Sequence, residues 1–276
     1  MNLVFASDSF KGSLSSQTIA EILTEEAQLA FPGCGTASVP VADGGEGTLD
    51  AVLSALGGTR RKVDISGPLF EPAQGEYGLL ENHTALIELA QAAGLTLVPP
   101  SRRDPRYTTT YGVGELILDA LEQGCTTIYL ALGGSATNDG GIGAMSALGI
   151  RFLDDRGREL SGVGADLTQV RHIDRSGLHP AVARTKFIVM SDVTNPLLGR
   201  QGATYTFGPQ KGAEEPVLQE LESGMDRYAR LVSQTTGVSV ATVPGGGAAG
   251  GMGAACLAFL GAEIRSGIQT VLDLAG

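Results

Sequence analysis

Residues Thr127-Ile128-Tyr129-Leu130-Ala131-Leu132 run directly into Gly133-Gly134-Ser135-Ala136-Thr137-Asn138-Asp139-Gly140-Gly141, and a helical pattern follows to Leu148. The first part is a short apolar run with strand character, and the second is rich in the glycine and Asx residues of sharp turns. Strand, glycine loop and helix in succession form the repeating unit of α/β proteins with a mainly parallel sheet.

Working outward, the same arrangement recurs. Asn2 to Ser7 leads into Asp8-Ser9-Phe10-Lys11-Gly12-Ser13 and a helix over about Ser16 to Phe31, with Ile19, Ile22, Leu23 and Ala27 on one face. Ala37 to Val41 leads into Asp43-Gly44-Gly45-Glu46-Gly47 and a helix to about Leu56. Lys186 to Met190 precedes Ser191-Asp192-Val193-Thr194-Asn195-Pro196, with no clear helix behind it. Ser239 to Val243 precedes Pro244-Gly245-Gly246-Gly247-Ala248-Ala249-Gly250-Gly251 and a helix to about Leu260. Ligands of parallel sheets sit beyond the carboxyl ends of the strands. All these loops are therefore expected to converge on one crevice, bringing Asp8, Asp43, Asp139 and Asp192 to it.

Between these units, Lys62 to Ile65, Gly75 to Leu80 and Thr84 to Leu89 read as an antiparallel meander, and Asp154 to Arg184 is irregular around a turn at Asp155-Arg156-Gly157-Arg158. The expected architecture is α/β: a Rossmann-like, mainly parallel sheet domain with a second α+β domain inserted. Residues 1–60 form the first part of the sheet domain, 61–265 the insert, and the remainder lies after about 265.

Composition narrows the function. The chain has 276 residues and a formal charge of −11, from 19 Lys plus Arg against 30 Asp plus Glu, so its surface repels a phosphate backbone and nucleic acid is a poor partner. No apolar stretch approaches the roughly 20 residues of a membrane helix. The start, Met1 to Asp8, has neither the basic region nor the apolar length of a signal peptide. Cys34, Cys125 and Cys256 stand far apart with no CxxC pair, which fits a reduced, cytoplasmic protein. His83, His172 and His179 lie outside the glycine clusters and read as surface or loop residues. Glycine is the outlier: 40 residues, roughly twice the usual share. It is gathered in the loops, as expected where backbone turns sharply or approaches a ligand.

Several known machines are absent: no GxxxxGK[ST] loop, no GxSxG elbow, no HRD or DFG element. Gly245, Gly247 and Gly250 do satisfy GxGxxG, with Glu263 further on as a ribose acid, so a dinucleotide-dependent oxidoreductase is one alternative. The same glycines serve equally well in a tight turn with close helix packing. The loops also hold every part that phosphoryl transfer needs: carboxylates for magnesium and for a proton, lysines, and glycine-rich backbone N–H cradles. Lys11 and Lys211, the latter in Gly208-Pro209-Gln210-Lys211-Gly212-Ala213, are the lysines embedded in such turns. Asp43 and Asp192 stand at strand ends, where Asp is a turn former or a ligand. Glu46, flanked by Gly44-Gly45 and Gly47, has little reason to be there as a turn former. Asn138 and Asp139 either hold ligand oxygens or cap the following helix.

Together, Asp8 to Ser13, Val39 to Thr48, Gly133 to Gly141, Asp192 to Leu197, Gly208 to Ala213 and Pro244 to Gly251 resemble, in order along the whole chain, the bacterial type I glycerate kinases. The resemblance implies an enzyme using ATP and Mg2+ to phosphorylate D-glycerate on its 2-hydroxyl, with the site in a cleft between two α/β domains. It implies Asp192 or Asp43 as the base, the other carboxylate with Asp8 or Glu46 on magnesium, and Lys11 and Lys211 on the glycerate carboxylate or the phosphate. Asp8, Ser9, Asn138, Asp139 and Lys211 would contact the substrate. Gly133, Gly134, Ser135, Gly245, Gly247 and Gly250 would offer N–H groups to the nucleotide. Small molecules are the implied partners, and a homo-oligomer is compatible with the pattern.

Two local departures are Ser7, where proline is common in the family, and Ser191. Family members also extend by about a hundred residues beyond Gly276, enough for several strands. That leaves a truncated fragment that binds glycerate or nucleotide without turnover as the second alternative.

Overall fold

A computed structural model describes residues 1–7, 10, 13–14, 16–38 and 44–275, the last by its backbone alone. Asp8, Ser9, Lys11 and Asp43, all singled out above, lie outside the described residues.

Strand β1 (Asn2–Phe5), helix α1 (Ser16–Ala30) and strand β2 (Gly35–Ser38) form a small unit in which the two strands pair in parallel. Helix α2 (Thr48–Leu56) follows, then strands β3 (Thr59–Ser66), β4 (Pro72–Leu80) and β5 (Thr84–Glu88). A short α3 (Ala90–Ala93) and α4 (Tyr111–Glu122) lead to β6 (Thr127–Ala131) and α5 (Ile142–Ala147). Strands β7 (Arg151–Leu153) and β8 (His172–Asp174) make a separate antiparallel pair. The chain closes with β9 (Lys186–Met190), α6 (Ala203–Phe207), α7 (Glu215–Thr236), α8 (Met252–Leu260), β10 (Glu263–Arg265) and α9 (Gly267–Ala275).

The central sheet has six strands in the order β10-β9-β6-β5-β4-β3. The first four run parallel, and β4 and β3 complete it antiparallel. The expected meander is thus joined to the parallel strands in one sheet, with β5 as the shared strand.

The expected strand at Ser239 to Val243 is not formed. The place beside β9 goes instead to β10, three residues around Ile264. Val240 is buried, but its neighbour Ala241 accepts a single bond from Leu198 N–H rather than joining a ladder. The glycine loop at 244–251 therefore does not follow a strand, and the GxGxxG pattern lacks the strand-turn-helix setting that a dinucleotide fingerprint requires.

Side chains alternate across the sheet with the period of two that strands impose. Ala85 and Ile87 of β5, Ile128 and Leu130 of β6, and Phe187 and Val189 of β9 face the larger core with α4, α5, α7 and α8. Leu86 and Met190 face the other way, against Leu49 and Val52 of α2 and Val271 of α9. Helix α7 supplies a stripe at helical spacing, Leu218, Leu221, Met225, Tyr228, Ala229 and Val232. It begins with Pro216 in its first turn and ends at Gly237 in the left-handed region, as helix termini favour.

Leu86 is fully buried where α2 and α9 meet the sheet. Its replacement by alanine should cost about 2–5 kcal/mol. Urea unfolding of Leu86→Ala beside the unsubstituted protein tests this, and an unchanged midpoint would mean that the two helices are not held through this layer.

Candidate active site

A cleft of about 560 Å³ opens where the loops after β6 and β9 meet the turn before α2. Its shape starts from glycine. A Cβ on Gly133 would stand 2.4 Å from Gly45 Cα, so the two loops touch main chain to main chain, and Gly133 N–H donates to Gly44 O at 3.1 Å. Gly44, at φ +87°, would with a side chain press on Met190 O at 2.9 Å and Gly267 Cα at 3.2 Å. The end of β9, the start of α9 and both loops are thereby packed around one point.

Glu46, Gly133, Gly134, Ser135, Asp192 and Lys211 all line this cleft. The Glu46 carboxylate sits over Gly134, with Oε1 3.1 Å from where a Cβ there would stand. Behind it, the α2 N-terminus is held by Glu88, whose Oε1 accepts from Leu49 N–H at 2.8 Å, and by Thr48 Oγ1 donating to Gly45 O at 2.8 Å. Glu88 is buried, and burial raises its carboxyl above the usual range despite the Leu49 bond.

Asp192 is tied to α9. Its Oδ1 accepts from Ser266 Oγ at 2.6 Å and Gly267 N–H at 3.1 Å, and its Oδ2 from Ile268 N–H at 3.3 Å. A carboxylate is the natural group for these orphan donors at a helix start. The bonds fix its orientation at the cleft.

Lys211 is only 2% exposed. Its Nζ donates to Ser135 Oγ at 2.8 Å and to Thr137 O at 2.6 Å, clamping the glycine loop after β6. Burial pulls the ammonium down to about 7, partly offset by the Asp139 carboxylate.

Other expected site residues are placed in supporting roles. Asp139 is fully buried and accepts from Thr110 N–H (2.8 Å), Thr110 Oγ1 (2.7 Å), Gly141 N–H (3.0 Å) and Gly143 N–H (3.3 Å). It therefore joins the N-termini of α4 and α5 rather than facing the cleft; burial raises its carboxyl, against those bonds. Asn138 is also buried, donating to Thr204 Oγ1 at 3.2 Å. Gly247 and Gly250 sit where a Cβ would meet Pro196 O at 2.3 Å and Thr137 O at 2.1 Å. Gly245 faces Ile264. This loop buttresses the cleft wall and reaches the cleft itself through Ala249, at φ +51°.

The cleft also contains Arg103, which glycine-centred reading of the sequence passes over. It lies in Pro99-Pro100-Ser101-Arg102-Arg103-Asp104-Pro105, a stretch without glycine. The signal that could have found it is a doubled arginine in a proline-stiffened turn. Among the described residues, no group of three or more His, Cys, Asp or Glu is arranged for a metal, and no helix is long and apolar enough to cross a membrane.

Two carboxylates, a buried lysine and glycine loops in one cleft at the carboxyl ends of parallel strands are parts that an α/β phosphotransferase uses. Residues 3–276 match the model of the glycerate kinase family. The chain is 48% identical over 272 residues to the glycerate 2-kinase of Escherichia coli (strain K12), covering 98% of this chain and 71% of that one. It is 42% identical to the glycerate kinase of Halalkalibacterium halodurans, covering 98% and 72% respectively. A crystal structure from Salmonella typhimurium LT2, assigned as a glycerate kinase 2, has a TM-score of 0.89 and 43% identity, covering 100% of this chain and 74% of its own. The chain belongs to the glycerate kinase family and is an enzyme of the kinase class.

Lys211 gives a measurable linkage. The folded protein holds it near 7, while an unfolded chain titrates near 10.4, so between these values the unfolded state binds more protons and stability rises with pH. Urea midpoints should therefore rise from about pH 7 to about pH 9.5 more steeply in the unsubstituted protein than in Lys211→Met. Parallel curves would show that Lys211 titrates as an ordinary surface lysine.

Proposed function

We propose that this protein transfers the γ-phosphoryl group of ATP to the 2-hydroxyl of D-glycerate, giving 2-phosphoglycerate and ADP, with Mg2+. The observation that carries the reading is the meeting of Asp192, Glu46, Lys211 and the Gly133-Gly134-Ser135 loop in one cleft at the sheet's carboxyl ends. Membership of the glycerate kinase family supports the substrate class.

The residues fit the groups the reaction requires. Gly134 and Ser135 line the cleft, and their N–H groups have no protein acceptor among the described residues, as an anion cradle needs. Magnesium in kinases is held by one or two carboxylates plus substrate phosphates rather than by a full protein cage, so Glu46 would supply the described share of its ligands, with Asp43 lying outside the described residues. When bound, the ion would neutralise charge on the transferring phosphoryl group.

Within this frame Asp192 accepts the proton of the glycerate 2-hydroxyl as that oxygen bonds to the γ-phosphorus. The bond from phosphorus to the β–γ bridging oxygen breaks, and its electron pair leaves on ADP. Ser266 and the α9 N-terminus hold Asp192 in place for this step. Lys211 fixes the loop that carries the N–H cradle, so it acts on the phosphate through the loop's shape. The reading also takes the enzyme as cytoplasmic and divides the chain into units at 1–60 and 61–265, with α2 packed across the boundary.

Incubation of the chain with Mg-ATP and D-glycerate, followed by phosphorus-31 NMR, should yield ADP and a phosphomonoester whose coupling marks the 2-position. Asp192→Asn keeps an acceptor for the α9 N-terminus, so it should remain folded while turnover falls by about 10²-fold or more. Unchanged turnover in that variant removes Asp192 as base, and intact ATP with the folded unsubstituted chain overturns the kinase reading for this chain.

A further inference from the structure

We propose that Arg103 is the residue that recognises the acceptor's carboxylate, and so sets the preference for a hydroxy acid over a neutral polyol. The inference rests on the reading of glycerate as acceptor and adds the subsite that such an acceptor requires.

Three arginines stand close together on the segment before α4, and their partners separate them. Arg102 pairs with Glu71 at 2.8 Å, and Arg106 pairs with Asp104 at 2.6 Å. Arg103 has no carboxylate partner among the described residues. Among the described residues its guanidinium makes two long bonds to main-chain oxygens, Nε to Val98 O at 3.3 Å and Nη2 to Leu95 O at 3.4 Å. Nη1 has no acceptor among the described residues. The side chain is half-buried and lines the cleft. A guanidinium does not lose its charge within the physiological range, so the cleft holds a permanent cation that pairs with no carboxylate among the described residues.

The position is built rather than incidental. Gly212 has φ +95°, and a Cβ there would stand 2.1 Å from Arg103 O, so the Arg103 main chain is seated directly on the turn that follows Lys211. Pro99 and Pro100 stiffen the approach on the other side. The two bonds from the guanidinium hold Nε and Nη2 against the wall and leave the rest of the fork for a ligand.

Charge and shape then assign the ligand group. Glu46 and Asp192 line the same cleft and repel a substrate carboxylate, which must settle toward the cations. Of the two described cations there, Lys211 already spends Nζ donors on Ser135 and Thr137. Arg103 presents the planar fork that matches a carboxylate in two-point contact. A phosphate has its own donors in the Gly134 and Ser135 N–H groups, on the loop that Lys211 clamps. Removal of the guanidinium should therefore weaken the acceptor and spare the nucleotide.

The test compares Arg103→Gln and Arg103→Lys with the unsubstituted protein, with Arg102→Gln as a neighbouring control. D-glycerate and ATP are varied separately in steady-state assays, glycerol is assayed as the neutral acceptor, and D-glycerate binding is measured by calorimetry. Circular dichroism checks that each variant is folded. The expected result for Arg103→Gln is a rise in KM for D-glycerate of about 30-fold or more, as for loss of one partner of a desolvated charge pair. KM for ATP should move by less than about threefold, and the preference for glycerate over glycerol should fall in the same proportion as KM rises. Arg103→Lys should recover part of the loss and Arg102→Gln should show none. A rise in KM for ATP instead makes Arg103 a phosphate ligand and overturns the proposal, as does unchanged glycerate binding in Arg103→Gln. If the unsubstituted protein binds D-glycerate without turning it over and Arg103→Gln abolishes that binding, the carboxylate subsite stands and only the kinase reading falls. If the unsubstituted protein does not bind D-glycerate, both fall together.

Discussion

The cleft depends on the main-chain contact between Gly45 and Gly133. With no side chain on either residue, the turn before α2 and the loop after β6 approach until a Cβ at 133 would be only 2.4 Å from Gly45 Cα. Gly44 makes the same close approach to the end of β9 and the beginning of α9. Each loop departs from a different element, yet they share one surface because nothing larger than hydrogen stands between them. Any side chain here would push apart the segments that carry Glu46, Ser135 and Asp192.

Buried charge then stabilises what the glycines bring close. Lys211 and Asp139 are both removed from water, and each is held by bonds to the loop between β6 and α5 or to the helices it feeds. Groups buried in this way are costly unless satisfied, and satisfied they permit one loop conformation and few others. Lys211 fastens Ser135 and Thr137 from across the cleft, while Asp139 fastens the starts of α4 and α5 from behind. The loop between them is rigid for a physical reason, and a rigid donor cradle loses little freedom on binding an anion.

Charges of both signs line the cleft. Carboxylates from the α2 turn and from the end of β9 stand with a lysine whose ammonium is weakened by burial and an arginine whose charge is permanent. Asp192 also caps α9, which packs with α2 on the sheet through Val271, Leu49 and Val52. The same carboxylate thus belongs to the cleft and to the layer that supports it, so movement of α9 would be felt at Asp192.

Period and turn chemistry in the sequence were enough for the α/β class and for the strands at 84–88, 127–131 and 186–190. These features are local: alternation of side chains follows from the backbone repeat, and glycine marks positions that admit no Cβ. Local pattern could not choose between Ser239 to Val243 and Glu263 to Arg265 for the strand beside β9, because that choice is made by pairing across the sheet. Nor could it separate the aspartates and glycines that line the cleft from those that support it. Asp139 and Asp192 occupy similar turns, but one faces two buried helix starts and the other an open crevice. Lys211 reaches Ser135 across 76 residues of sequence, and Arg103 comes from a segment with no glycine at all. The sequence by itself determined the strand-and-loop units at β5, β6 and β9 and the residue types available in the loops. The tertiary structure decided which of those groups meet, because side-chain direction and burial depend on contacts between segments far apart in the chain.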